Sequence, residues 1–192
     1  MKRLFAVSLI VCATFVSCAH SQSKSSKGWE LGVGYDYVHT NAPPAACGCF
    51  PMNGGIASVA WRFTPHFSLE AEINGVTNGN IAATGQSLKL FTYVAGPRYR
   101  FMPTRRFSPY GQILVGASHA SGGLYGTGTS STGTANAFAT SIGGGLDLAL
   151  SRHVALRLAQ ADYLLTLLPN GVNSHQNNVS LSTGIVFHFA KK

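Results

Sequence analysis

The chain has 192 residues, a formal net charge of +8 and only 10% charged residues, with 22 glycines against 8 prolines. Setting aside an amino-terminal leader leaves roughly 170 residues, room for one domain and not two. The positive balance is too thin for nucleic-acid binding, because two of the cations sit in the leader and no basic stripe interleaves with aromatics.

The leader comes first. Lys2 and Arg3 precede an apolar run over 4–16, then small and polar residues to Ser23, the order of a cleaved secretory signal. The run is well short of the ~20 residues a membrane-spanning helix needs. Ala19 and Ser21 offer small residues where a signal peptidase reads, so residues 1–21 are expected to be removed, with 22–28 as a short amino-terminal segment. A rival reading takes Phe15-Val-Ser-Cys18 as a degenerate lipobox and leaves Cys18 lipidated.

Behind the leader, eight segments alternate apolar and polar residues, over 29–38, 54–63, 66–74, 87–101, 109–117, 137–150, 153–164 and 179–189. Each approximates the ~9 to 11 residues of a tilted transmembrane strand. An even count lets an antiparallel sheet close on itself without an edge. In the first three, Trp29, Leu31, Val33, Tyr35 and Tyr37, then Ala57, Val59, Trp61 and Phe63, then Phe67, Leu69, Ala71 and Ile73 each share one face. The partner faces carry Glu30, Asp36, Ser58, Arg62, Ser68, Glu70, Glu72 and Asn74, and further along Arg98, Arg100, Gln112, Asp147 and Arg157.

Alternation alone fits a membrane barrel and a soluble barrel turned inside out. The aromatics separate the two: Trp29, Trp61, Phe63, Tyr99, Phe101, Phe187 and Phe189 gather at one set of strand ends, and Tyr35, Tyr37, Phe91, Tyr93 and Tyr163 lie nearer the other. Two belts at two heights are the mark of two membrane interfaces. The hydrophobic belts therefore face lipid, and Glu30, Arg62, Glu70, Glu72, Arg98, Arg100, Asp147 and Arg157 are expected to form a polar network in the lumen. In the seventh segment Gln160 and Asp162 fall into the apolar phase, so a bulge near Ala159 is expected to restore it.

The connections alternate in length. Residues 64–65, 102–108 and 151–152 are short, whereas 39–53, 75–86, 118–136 and 165–178 read as long loops rich in Gly, Ser, Thr and Asn. The first long loop holds Cys47-Gly-Cys49. A secreted chain meets oxidising conditions, but a bond between residues two apart closes a strained ring. A local bridge, intermolecular pairing, metal capture and free thiols all stay open.

The closing strand, Val179-Ser-Leu-Ser-Thr-Gly-Ile-Val-Phe-His-Phe189, alternates most strictly. In an antiparallel closure it must pair with the first strand, which sets His188 near Glu30 at the same rim. Its Ser182, Gly184, Phe187 and Phe189 resemble the carboxy-terminal signal by which outer-membrane barrels are recognised for insertion. Together with Leu31-Gly-Val-Gly-Tyr-Asp-Tyr-Val38, Phe107-Ser-Pro-Tyr-Gly-Gln-Ile-Leu-Val-Gly116 and Ser141-Ile-Gly-Gly-Gly-Leu-Asp147, this makes the chain resemble the small bacterial outer-membrane β-barrels of the OmpA-like type, over 29–189, with 190–192 as a tail.

The resemblance implies an all-β fold, an eight-stranded antiparallel up-and-down transmembrane barrel with short periplasmic turns and long extracellular loops, in the bacterial outer membrane. It implies outer-membrane lipid, lipopolysaccharide and the barrel assembly machinery as partners, and an extracellular partner for the loops. It is nearly silent about activity. Eight strands enclose a lumen just wide enough for side chains, so the leading expectation is a non-catalytic surface or structural protein, with no catalytic, cofactor or metal residues nominated. The alternatives are a narrow pore, a soluble ligand-binding barrel, or a lipid-modifying enzyme built on His175 with Ser174 or Ser180 and oriented by Asp162.

Overall fold

The computed structural model describes residues 27–41, 49–81, 86–122, 133–169 and 174–190. The leader, the Cys18 lipobox, Cys47, residues 123–132 and the terminal Lys191 and Lys192 lie outside them. The chain forms eight strands: β1 (Gly28–Thr40), β2 (Phe50–Arg62), β3 (Phe67–Ile81), β4 (Gln86–Arg100), β5 (Phe107–Gly122), β6 (Gly133–Ala149), β7 (Val154–Thr166) and β8 (Gln176–Ala190). Each pairs antiparallel with its sequence neighbour, and β1 with β8, so the sheet closes into a barrel. Trp29 is opposite Trp61 on one side and Phe189 on the other, and Glu30 is opposite His188 across the seam.

The faces follow from the two-residue period. Trp29, Leu31, Val33, Tyr35, Val59, Trp61, Leu69 and Ile73 are exposed on the outer wall, and Glu30, Asp36, Ser58, Ser68, Glu70 and Glu72 are buried inside. Tyr37 is only half exposed. An apolar band on the outside and charge on the inside is the reverse of a water-soluble barrel at this height. The register shift in β7 lies between Arg157 and Gln160, with Leu146 opposite Ala159 and Asp147 opposite Arg157. It turns Asp162 inward, where it is buried, and leaves Leu158 outside.

The strands are longer than the alternating segments suggested, chiefly at the end away from the termini. Residues 75–86, read as a long loop, are mostly strand: β3 continues to Ile81, β4 starts at Gln86, and the link is 82–85. Composition misled here, because the outward residues of these extensions, among them Asn53, Thr77 and Asn136, are exposed and polar. Their inward neighbours Val38, Phe50, Met52, Val76, Ile81, Leu88, Leu90, Ala120 and Leu168 form one buried apolar cluster. The pattern therefore inverts along the axis. The lower part is built for lipid outside and polarity inside, and the upper part for water outside and a dry core. Tyr35 and Tyr163 mark the boundary, their hydroxyls donating to Asn53 Oδ1 at 2.5 Å and Asn177 Oδ1 at 2.7 Å.

At the other end the rings form a continuous ladder. Trp29 and Trp61 stack with centroids 6.3 Å apart, Trp61 meets Phe63 at 6.0 Å, Phe63 meets Phe67 at 6.4 Å, Phe67 meets Tyr99 at 4.9 Å and Tyr99 meets Phe101 at 5.2 Å. This girdle and the Tyr35 level bound the lipid band, and Ile113, 54% exposed, sits between them. Ile113→Arg is expected to destabilise the barrel by about 2 to 4 kcal/mol. The check is a urea titration in phospholipid vesicles, where a cost equal to that of a rim substitution would misplace the membrane.

Candidate functional site

The lumen holds the protein's densest chemistry, and Glu30 on β1 is its hub. Its carboxylate accepts from Arg98 Nη1 at 3.1 Å and from Arg100 Nη1 at 3.0 Å, with Arg62 Nη2 at 3.3 Å and His188 Nδ1 at 3.6 Å. Arg98 also donates to Glu70. Because β1 and β4 are not neighbours in the barrel, the bonds of Arg98 and Arg100 to Glu30 cross the lumen and tie separate parts of the wall together. Arg98 is 1% exposed and Glu30 2%.

A second group adjoins it. Arg157 Nε donates to Asp147 Oδ1 at 3.0 Å and its Nη1 to Gln160 Oε1 at 2.8 Å, while Arg100 Nη2 lies 3.7 Å from Asp147. Tyr110 is packed against two guanidinium groups, Arg98 at 4.5 Å and Arg157 at 5.0 Å from its ring centre, a favourable arrangement for a π face. Its hydroxyl donates to Gln160 at 2.7 Å. Gly145 makes the space: a Cβ there would lie 2.6 Å from the Tyr110 hydroxyl. Gly145→Ala is expected to push the ring off Gln160 and cost about 1 to 3 kcal/mol, read as a shift in the urea midpoint that Tyr110→Phe partly relieves.

Higher in the lumen the donors become neutral. Asp36 accepts from Ser180 Oγ at 2.6 Å and Asn74 Nδ2 at 2.9 Å; Asp162 accepts from Gln112 at 3.2 Å and Gln160 at 2.6 Å; Gln160 also reaches Glu72 at 3.0 Å. Above them Val94, Leu114, Ala139 and Leu164 form a buried apolar cluster beneath the larger one. The lumen thus runs from ion pairs through neutral hydrogen bonds to hydrocarbon.

Of the residues nominated for this network, Glu30, Glu70, Glu72, Arg98, Arg100, Asp147 and Arg157 are buried inside, and Arg62 reaches the hub from the rim, half-buried. Tyr110 and Gln160 were missed. Tyr110 shares its phase with Ser108 and Gln112, a legible signal, whereas Gln160 is brought inward only by the bulge. The constellation around His175 does not gather: Ser180 and Asp162 face the lumen and bond Asp36, Gln112 and Gln160, whereas His175 immediately precedes β8 at the upper end. Ser182 is buried, Gly184 is opposite Gly34, and Phe187 and Phe189 are exposed to the lipid side. Cys49 is exposed.

The family model for the outer membrane protein beta-barrel domain matches residues 8–187. No curated protein sequence matches the chain. Among solved structures, Neisserial surface protein A aligns with a TM-score of 0.64 at 16% identity, over 84% of this chain and 97% of that one. The attachment invasion locus protein Ail of Yersinia pestis, solved with the heparin analogue sucrose octasulfate, aligns with a TM-score of 0.59 at 14% identity, over 85% and 99%. OprG of Pseudomonas aeruginosa aligns with a TM-score of 0.55 at 10% identity, over 88% and 99%. At such identities the likeness is one of fold, and with the lipid-facing outer wall it excludes the soluble ligand-binding barrel. Closed eight-stranded topology, an apolar wall between two aromatic levels and the domain match agree: the chain belongs to the outer membrane protein beta-barrel domain family, and its place is the bacterial outer membrane.

Proposed function

We propose that this protein is a closed, non-catalytic outer-membrane barrel whose work is done at its ends, with the extracellular connections presented to a partner surface. In this reading residues 1–21 are removed as a signal peptide, and the assembly machinery reads Ser182, Gly184, Phe187 and Phe189. The outer wall meets outer-membrane lipid and lipopolysaccharide. The single observation that carries it is the filled lumen: the Glu30–Arg98–Glu70 bridge spans it below, and Val38, Met52, Leu88 and Leu90 seal it above. Removing such charges from their partners to admit ions is costly, so conduction is disfavoured as the role.

The loops constrain the partner. Residues 41–49, 82–85, 123–132 and 167–175, which link the strands at that end, contain no Asp, Glu, Lys or Arg. The polyanion held by Ail is therefore a poor guide to their ligand, since it needs cations. Neutral surfaces met by Asn, Ser, Thr and backbone groups are the better fit. Refolded protein in a planar bilayer is expected to show no stable conductance steps, and a gel of unboiled against boiled protein to show two mobilities, because a closed barrel resists unfolding. Replacing 42–48, 123–132 and 170–173 with short Gly-Ser links should abolish binding to an uncharged glycan or protein surface without removing that heat-dependent shift. Sustained ion conductance would overturn the reading.

A further inference from the structure

All six Asp and Glu side chains of the protein, Glu30, Asp36, Glu70, Glu72, Asp147 and Asp162, are buried in the lumen. Every charged side chain outside it is therefore cationic, and the distribution along the axis is one-sided. The extracellular connections carry none, and Lys89 stands alone on the upper wall among the described residues. At the opposite rim Lys27 precedes β1, Arg105 and Arg106 lie in the β4–β5 turn and Arg152 in the β6–β7 turn, all exposed. Lys191 and Lys192 follow β8 in sequence. The remaining turn, β2–β3, carries the exposed His66.

These cations are spaced around the circumference, at the β8–β1 seam and at two of the three turns, and do not form one patch. They also stand next to the aromatic girdle: Lys27 is two residues from Trp29, and Arg106 adjoins Phe107. Such rings mark the edge of the hydrocarbon, so the cations lie at the level of the headgroups. A protein partner requires roughly 800 Å² of contiguous surface, whereas annular lipid touches every point of a rim.

We propose that this rim is a binding collar for the anionic phospholipid headgroups of the periplasmic leaflet. Phosphate groups would meet Lys27, Arg105, Arg106 and Arg152 from the side while the girdle packs on the acyl chains. The collar sets the height and tilt of the barrel from the periplasmic side.

The protein carries its own reporter. Its two tryptophans, Trp29 and Trp61, both face lipid at this rim, 54% and 47% exposed. Full-length mature protein is refolded into phosphatidylcholine vesicles holding the same fraction of either brominated phosphatidylglycerol or brominated phosphatidylcholine, and tryptophan quenching is compared. The expected preference for the anionic lipid is about five-fold for a headgroup meeting one rim cation. It should collapse toward one in Lys27→Gln and in about 1 M salt, where the screening length is about 3 Å.

Moving the reporter with Trp29→Phe/Trp61→Phe/Phe107→Trp should shift the sensitivity to Arg105→Gln/Arg106→Gln, since Phe107 adjoins that turn. The salt titration of unaltered protein decides the matter should a variant fail to close. Equal quenching by the two lipids, or a preference indifferent to salt and to the substitutions, would overturn the proposal. So would binding of the solubilised protein to isolated peptidoglycan that is lost in the Arg105→Gln/Arg106→Gln variant while lipid quenching stays unchanged, which would assign the rim to the cell wall.

Discussion

Glu30→Gln is expected to destabilise the barrel by about 3 to 5 kcal/mol, the cost of leaving buried cations without their partner. Arg98 and Arg100 both converge on this one carboxylate from the far wall, with Arg62 behind them. Glutamine keeps the shape and an acceptor oxygen but cannot balance that charge. The control is Asp36→Asn, at a carboxylate held by the neutral donors Ser180 and Asn74, where the change should stay below about 1.5 kcal/mol, the scale of one neutral hydrogen bond. Urea titrations in vesicles, followed by the heat-dependent gel shift, separate the two. Equal costs at Glu30 and Asp36 would mean that the lower network is hydrated and that Glu30 is not its hub.

Leu90→Ala should cost about 2 to 5 kcal/mol, since Leu90 is fully enclosed and deleting its branch leaves a cavity in the apolar cluster it shares with Val38, Met52 and Leu88. Its chain neighbour Lys89 points outward at the same height, and Lys89→Ala should stay within about 0.5 kcal/mol. The contrast tests whether the upper barrel is a dry core standing above the membrane. A cost near that of Lys89→Ala would indicate a water-filled mouth, and would weaken the case against conduction as well.

Particular residues show what was legible before the fold. The period of two in Trp29 to Val38 and in Val179 to Phe189 announced strands and separated their faces. The even count implied closure, and closure by itself placed His188 opposite Glu30. Gln160 and Asp162 in the wrong phase announced the bulge. These are local facts, or consequences of joining two ends, and sequence spacing carries both.

The rest depended on three dimensions. That Arg98 would reach Glu30, 68 residues away in sequence, cannot be read from spacing, because it depends on which strands face each other across the lumen and on the stagger between them. The apolar plug of Val38, Met52, Leu88 and Leu90 was hidden for a related reason. Of these, Met52 lies in a segment that reads as loop, while Val38, Leu88 and Leu90 lie in segments that read as strands, and a sequence states that two faces differ without stating which medium each one meets. Height above the membrane decides that, and height is a property of the closed barrel: below the Tyr35 level lipid takes the apolar face, and above it water takes the polar one.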